Sequence, residues 1–190
     1  AAGVCLWRLA FSGSTGALTG AHLLRTIALF GGPSAFPLPP TTLRWHPLGK
    51  WVAAASPHHG AVAICDPACP APVAELPMHG SGGAVGFAAA AIAGLAGSSV
   101  HASGIGVVEV SPCGGAMAVG GTSGGLRVYD THSWQWSSWP RFGQNAPCVC
   151  AAWQVPSGHG SPLLADEVKT LVVALKGSAS LYVLRVGRRH

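Results

Sequence analysis

One short pattern occurs twice in the chain, and it constrains the fold more than any other feature. The segment GAVAICD covers residues 60–66, and GGLRVYD covers residues 124–130. Each pattern ends about twenty residues after a turn built on proline and glycine, at Pro47 in one copy and Pro112 in the other. The two prolines lie 65 residues apart and the two closing aspartates 64, so the copies align with a gap of one residue. A repeat of this kind indicates a fold that stacks copies of one small unit.

Each copy is predicted to form four short antiparallel strands. The candidate strands are TLRW, WVAAAS, AVAIC and PVAELPM in the first copy, and VVEV, AMAVGG, LRVY and SWQWSSWP in the second. Short runs of β-forming residues between turn signals are typical of an all-β meander. Four such strands, with an aspartate closing the third, are the pattern of a blade in a WD-type propeller. The predicted fold class is therefore all-β, a partial WD40-type β-propeller.

The length of the chain limits how much of a propeller it can hold. We expect about three to three and a half four-stranded blades of a seven-bladed ring, and so a fragment of a single propeller domain over 1–190. A long connection rich in Gly, Ala and Ser is predicted at 12–22, between strands three and four of the opening unit. The predicted divisions are the end of one blade (1–30), a blade (41–78), a low-complexity insertion (80–105), and two further blades (106–140 and 147–187).

Five residues are singled out for a role. Asp66 and Asp130 are predicted to be structural, because an aspartate after the third strand can accept backbone N–H groups in the following turn. Trp134, Trp136 and Trp139 crowd the outer strand of the second copy, with the first two predicted to share one strand face. Two interpretations stay open for these tryptophans, packing between blades or anchoring a partner at an outer edge, and Trp136 is expected to be the more exposed.

Several function classes find no support in the sequence. There is no G-x-S-x-G elbow, and the two repeat aspartates are explained as turn acceptors, so we expect neither catalysis nor a cofactor. The six cysteines include no CxxC pair, which argues against a metal site. The eleven Lys and Arg residues are mostly scattered, which argues against direct nucleic-acid binding. The most apolar window, 84–97, is too short to span a bilayer, so no transmembrane segment is predicted.

Some segments carry a pattern that is more specific than the general pattern of a propeller blade. A Trp-x-Pro-x-Gly turn at 45–49 precedes an Ala-Ala-Ser-Pro corner at 54–57, and Trp134, Trp139 and Pro140 form a W-x4-W-P strand. With GVCLWRL in front and TLVVALKGSASLYVLRV behind, this order resembles the middle of the WD-repeat nucleoporins of the nuclear pore complex. The resemblance covers most of the chain outside 80–105.

This resemblance implies a function. It implies a non-catalytic scaffold subunit at the nuclear envelope, associated with other nucleoporins, including a membrane-spanning pore protein. The alternative is a WD-repeat adaptor that recruits substrates to a ubiquitin ligase or a signalling complex. An adaptor of that kind predicts a basic or aromatic pocket at the mouth of the central channel.

Overall fold

The chain folds into antiparallel strands joined mostly by short turns. The computed structural model describes residues 3–29, 40–78, 104–138, 146–154 and 169–186. Within these ranges, all the regular secondary structure is β-strand. The strands are β1 (Gly3–Phe11), β2 (Leu18–Ala28), β3 (Thr42–Trp45), β4 (Val52–Ala55), β5 (Ala61–Cys65), β6 (Ala74–Pro77), β7 (Ile105–Val110), β8 (Ala116–Gly121), β9 (Leu126–Asp130), β10 (Trp136–Ser138), β11 (Cys148–Trp153), β12 (Lys169–Leu175) and β13 (Leu181–Val186).

The strands form four sheets that follow one another along the chain. The first is the β1–β2 hairpin, the next two are four-stranded meanders (β3 to β6 and β7 to β10), and the last is the three-stranded meander β11 to β13. Every paired strand is antiparallel to its neighbour. Asp66 and Asp130 therefore belong to separate sheets, and the all-β prediction is confirmed. The described strands do not close into a ring.

The turn between the first two strands is built in the same way in both four-stranded sheets. Gly49 donates its N–H to the carbonyl of His46 at 2.8 Å, and Gly114 donates to Ser111 at 2.8 Å. Both glycines have positive φ, 69° and 74°. Glycine adopts this left-handed conformation without a Cβ clash, so the Pro-x-Gly pattern produces the same tight reversal twice.

The sheets stack face to face, and the second and third are covered on both sides. Along β4, Val52 and Ala54 pack against the β1–β2 hairpin, whereas Ala53 and Ala55 pack against the β7 to β10 sheet. All four residues are buried. Successive strand residues point to opposite faces, and so a strand with both faces covered is apolar throughout.

Further contacts join neighbouring sheets. Arg127 and the Tyr129 hydroxyl both donate to the carbonyl of Pro77, at 2.6 Å and 2.9 Å, across the interface between the second and third sheets. Another core joins the third and fourth sheets. The largest fully buried side chains include Tyr129, Ile27, Ile64, Leu76, Ile105, Met117 and Leu171.

The second, third and fourth sheets approach one another most closely at their first strands. Strand β7 lies between β3 on one side and β11 on the other. The first strands of three successive sheets therefore line one side of the stack.

The opening unit and two boundaries differ from their predictions. The connection predicted at 12–22 is shorter, with strand β2 covering 18–22, because Leu18 pairs with Phe11 and the ladder continues past two register shifts. Strand β7 begins at Ile105, inside the predicted insertion 80–105, and residues 79–103 lie outside the described residues. The predicted strand SWQWSSWP is shorter, since Trp134 lies in the turn before β10.

Candidate protein-binding surface

The repeat aspartates hold the turns that follow the third strands. The Asp66 carboxylate accepts the N–H of Ala68 at 2.7 Å. The Asp130 carboxylate accepts the N–H groups of His132 at 3.0 Å and Ser133 at 2.9 Å, and the Ser133 hydroxyl at 3.0 Å. Burial raises the pKa of Asp130, but these hydrogen bonds outweigh it and hold that pKa below its usual value.

This difference between the two turns leads to a prediction. We expect Asp130→Ala to lower the free energy of unfolding by about 1 to 2 kcal/mol and Asp66→Ala to lower it by less, because Asp130 accepts more hydrogen bonds. Urea denaturation at neutral pH measures both effects. The folded pKa of Asp130 lies below the unfolded one, so its contribution is present above the unfolded pKa and is lost as the pH falls through the folded pKa. An equal or larger loss for Asp66→Ala would contradict the assignment.

Two of the three tryptophans predicted at the outer strand are packed rather than open. Trp134 has a positive φ of 54° and its ring lies 5.5 Å from that of Trp51, centroid to centroid. The Arg127 guanidinium lies 3.8 Å from the centroid of the Trp136 ring. Both Trp134 and Trp136 are partly buried against the core between the second and third sheets, and Trp139 lies outside the described residues. Packing explains the positions of the first two, and the partner-anchor role stays a prediction.

A large exposed aromatic side chain lies on β3 instead. Trp45 is 54% exposed, and Leu43, two residues earlier on the same face of this short strand, is also open. Leu48, in the turn that follows, is similarly exposed. We call Leu43, Trp45 and Leu48 the first-strand surface. Large apolar side chains exposed close together in sequence are typical of protein-binding sites.

The strand that carries this surface is tied to its neighbours. The Nε and Nη2 atoms of Arg44 lie 3.0 Å and 2.7 Å from Oε1 of Glu109 on β7. The hydrogen bond to Glu109 raises the pKa of Arg44. Trp153 on β11 donates its indole N–H to the Glu109 carbonyl at 3.1 Å. A partly exposed ion pair contributes little stability, but these contacts set the position of β3 relative to β7 and β11.

Sequence reasoning did not identify the first-strand surface. The available signal was the alternation in TLRW, which places Leu43 and Trp45 on one face of an edge strand. Whether another sheet covers that face cannot be read from four residues. The density of tryptophan at 134–139 was the stronger signal in the sequence, and Trp134 and Trp136 within that run pack against the core.

A buried histidine joins the turns of the second and third sheets. His46 is only 5% exposed, and its ring meets Trp51 edge-on with centroids 4.9 Å apart. Its Nδ1 accepts the N–H of Leu48 at 3.0 Å. Burial lowers the pKa of His46, the Lys50 charge lowers it further, and a hydrogen bond with the Gly114 backbone only partly offsets this. The imidazole is therefore favoured in its neutral form.

We expect this histidine to make the protein less stable in mild acid. A folded pKa below the unfolded value near 6.5 means that the unfolded state binds more protons, so stability is lost as the pH falls below about 6.5. The check is urea denaturation at pH 7.5 and pH 5, with His46→Asn expected to show a smaller loss. Burial also lowers the pKa of His59, so the variant retains part of the loss. An unchanged pH dependence in the variant would contradict the role of His46.

The described residues form no metal-binding cluster. Within them, no group of three or more His, Cys, Asp or Glu side chains is placed to hold a metal ion. None of the described segments forms a helix long and apolar enough to cross a membrane.

Neither a protein-family model nor a curated protein matches the chain. A function is therefore inferred from the stacked sheets, the first-strand surface and the resemblance of the sequence segments.

Proposed function

We propose that the chain forms consecutive blades of a WD40-type β-propeller and serves as a non-catalytic scaffold subunit of the nuclear pore complex. The observation that carries the proposal is the repeated four-stranded meander, with the same glycine turn and the same aspartate position in both copies. The close approach of β3, β7 and β11 supports it, because the first strands of successive blades surround the axis of a propeller.

The proposed mechanism is rigid display of binding edges and loops. Sheets buried on both faces form a stiff stack, since each is held by its neighbours. Exposed side chains on such a stack meet partners at little conformational cost. The partners proposed are other nucleoporins, including a membrane-spanning pore protein that would supply the membrane anchor. The resemblance to Aladin-type WD-repeat nucleoporins supports these partners and a location at the nuclear envelope.

One observation favours the adaptor alternative. In a closed ring, the first-strand surface and Arg44 would lie near the central channel, where an adaptor presents an aromatic or basic pocket to its substrate. Trp45 supplies an exposed aromatic ring there. A substrate-recruiting WD adaptor of a ubiquitin ligase or signalling complex is therefore the second candidate function.

Affinity isolation of the tagged full chain from cells separates the two functions. The scaffold function predicts co-isolation of pore proteins, including a membrane-spanning one, and labelling of the nuclear rim. Ligase or kinase subunits in their place would support the adaptor and overturn the scaffold. Isolation of neither class would overturn both.

The same assay tests the first-strand surface. We expect Trp45→Ser to reduce recovery of the main partner severalfold. Trp7→Ser is the matched control, because Trp7 is 55% exposed and lies on β1, in the first sheet. Equal effects of the two variants would show that the first-strand surface is not the binding site.

A further inference from the structure

The first-strand surface lies on a face of the second sheet that is covered over only part of its width. Leu43 and Trp45 pair with Ala54 and Val52 on β4, and residues directly opposite in a ladder share one face of the sheet. Val52 and Ala54 are buried against the β1–β2 hairpin, whereas Leu43 and Trp45 on the same face are exposed. The hairpin therefore covers β4 and β5 and leaves β3 open.

The equivalent positions in the next repeat are covered by strands. In the alignment of the two copies, Leu43 corresponds to Val108 on β7, and Trp45 corresponds to Val110. Val108 is only 1% exposed, and Val110 packs against the core between the second and third sheets. Strands β3 and β4 of the preceding sheet contact β7 there. In the described residues the first sheet has only β1 and β2, so it provides no strand to cover β3 in the same way.

The unpaired edge of β1 lies on the side of the hairpin nearer to β3. Arg25 on β2 donates a hydrogen bond to the carbonyl of Ala68, in the turn that joins β5 to β6. Since the hairpin packs on β4 and β5, β2 lies toward β6 and β1 lies toward β3. Arg25 pairs with Leu6 on β1, and Ala68 follows the end of β5 that is level with Val52 and Trp45. The middle of β1 is therefore level with Trp45.

Strand β1 has few of the features that prevent an edge strand from pairing. It is nine residues long, contains no proline and carries one charged side chain, Arg8. The two register shifts of the hairpin place their extra residues, Leu24 and Thr19, on β2, so β1 itself has no bulge. Edge strands are commonly protected by proline, charge, bulges or short length. A long, regular edge beside an uncovered apolar face is a template for a further strand.

The backbone groups that face this open edge can be identified from the hairpin contacts. The Ala10 carbonyl accepts the hydroxyl of Thr19 at 3.0 Å, and Ser12 donates its N–H to the Ala17 carbonyl at 2.8 Å. Both contacts point toward β2. Backbone groups of successive residues in a strand point to opposite edges. The N–H and carbonyl of Leu9 therefore face the open edge.

We propose that the free edge of β1 pairs with an extended segment of a partner protein, and that apolar side chains of this segment cover Leu43 and Trp45. Main-chain hydrogen bonds to β1 hold the added strand, and its alternate side chains point toward β3. The added strand continues the existing core between the first and second sheets. This inference rests on the protein-binding role proposed for the first-strand surface, and not on which complex the partner belongs to.

Hydrogen–deuterium exchange of the full chain, alone and in the complex isolated through its tag, tests the added strand. In the complex we expect the outward N–H groups of β1, such as that of Leu9, to exchange at least about tenfold more slowly than in the free chain. The amides of β13, an edge strand of the fourth sheet, are the internal control and should change little. Unchanged exchange along β1 with the partner bound would overturn the proposal.

The free chain shows whether the edge is already occupied. Slow exchange of the outward β1 amides in a monomer would mean that this chain covers the edge itself. Slow exchange only at concentrations where sedimentation shows a dimer would mean that a second copy covers it. Either result would overturn a strand from a partner protein, as would a chain that recovers no partner at all.

Two variants of Leu9 test the role of the backbone N–H. Leu9 is exposed, so Leu9→Pro and Leu9→Ala both shorten the same open side chain, but only proline removes the N–H. We expect Leu9→Pro to reduce recovery of the main partner about tenfold and Leu9→Ala to retain most of it. Circular dichroism establishes whether both variants fold, and the exchange measurement on the unaltered chain does not depend on either.

The outcomes separate this inference from the proposed function. Equal recovery with the two folded Leu9 variants would overturn strand addition, even where Trp45→Ser shows that the first-strand surface binds the partner. The scaffold and adaptor functions fail instead through the identity of the proteins that are recovered. A protected β1 edge in a complex of neither class would therefore support the added strand and reject both functions.

Discussion

Leu76→Ala is expected to lower the free energy of unfolding by about 2 to 5 kcal/mol. Leu76 lies on β6 with 0% exposure, in the core between the second and third sheets. Removing its isobutyl group loses buried apolar area and leaves a cavity that close-packed neighbours fill only in part. Urea denaturation followed by tryptophan fluorescence measures the change, since Trp51 and Trp134 pack against the same core.

Leu43→Ala is the matched control for this experiment. It removes the same atoms from β3, where the side chain is 46% exposed. A substitution at such an open position is expected to change stability by no more than about 0.5 to 1 kcal/mol. If Leu76→Ala cost no more than Leu43→Ala, the second and third sheets would not be stacked as described.

The two four-stranded sheets were predictable because local signals agree along their whole length. Proline and glycine mark both first turns, and each aspartate marks the end of a third strand. The intervening runs VAAA and AVAIC lack polar alternation, which suits strands covered on both faces. The stacking itself follows, since a sheet apolar on both faces must be covered on both sides.

The β1–β2 hairpin and the first-strand surface were less predictable, for a shared physical reason. Gly and Thr favour a loop near Leu18, but pairing across to Phe11 extends the strand there. Strand formation depends on the neighbour across the ladder more than on intrinsic propensity. In the same way, Trp45 and Trp134 differ in exposure because of what packs beside each ring. That information comes from other parts of the chain.

Gly114→Ala is expected to destabilise the protein by about 2 to 4 kcal/mol, and Gly49→Ala by about 1 to 2 kcal/mol. Both glycines have the same left-handed φ in equivalent turns, so both variants incur the same backbone strain. They differ in their surroundings, since a Cβ at Gly49 meets nothing within 4 Å, whereas one at Gly114 collides with the His46 ring. The difference between the two losses therefore measures contact between the turns of neighbouring sheets.

His46→Ala separates the strain from the collision. In that background the ring is absent, so we expect the cost of Gly114→Ala to fall to that of Gly49→Ala, while the cost of Gly49→Ala itself stays nearly constant. Such a result gives a coupling of about 1 to 2 kcal/mol between the two substitutions, because removing the ring relieves the collision with the added Cβ, and the two positions lie in successive repeats. Repeats that stack in register must touch at equivalent turns, and this cycle measures that contact directly. A cost of Gly114→Ala that does not change in the His46→Ala background would mean that the two turns do not meet, and the stacked arrangement of the second and third sheets would be wrong at this end.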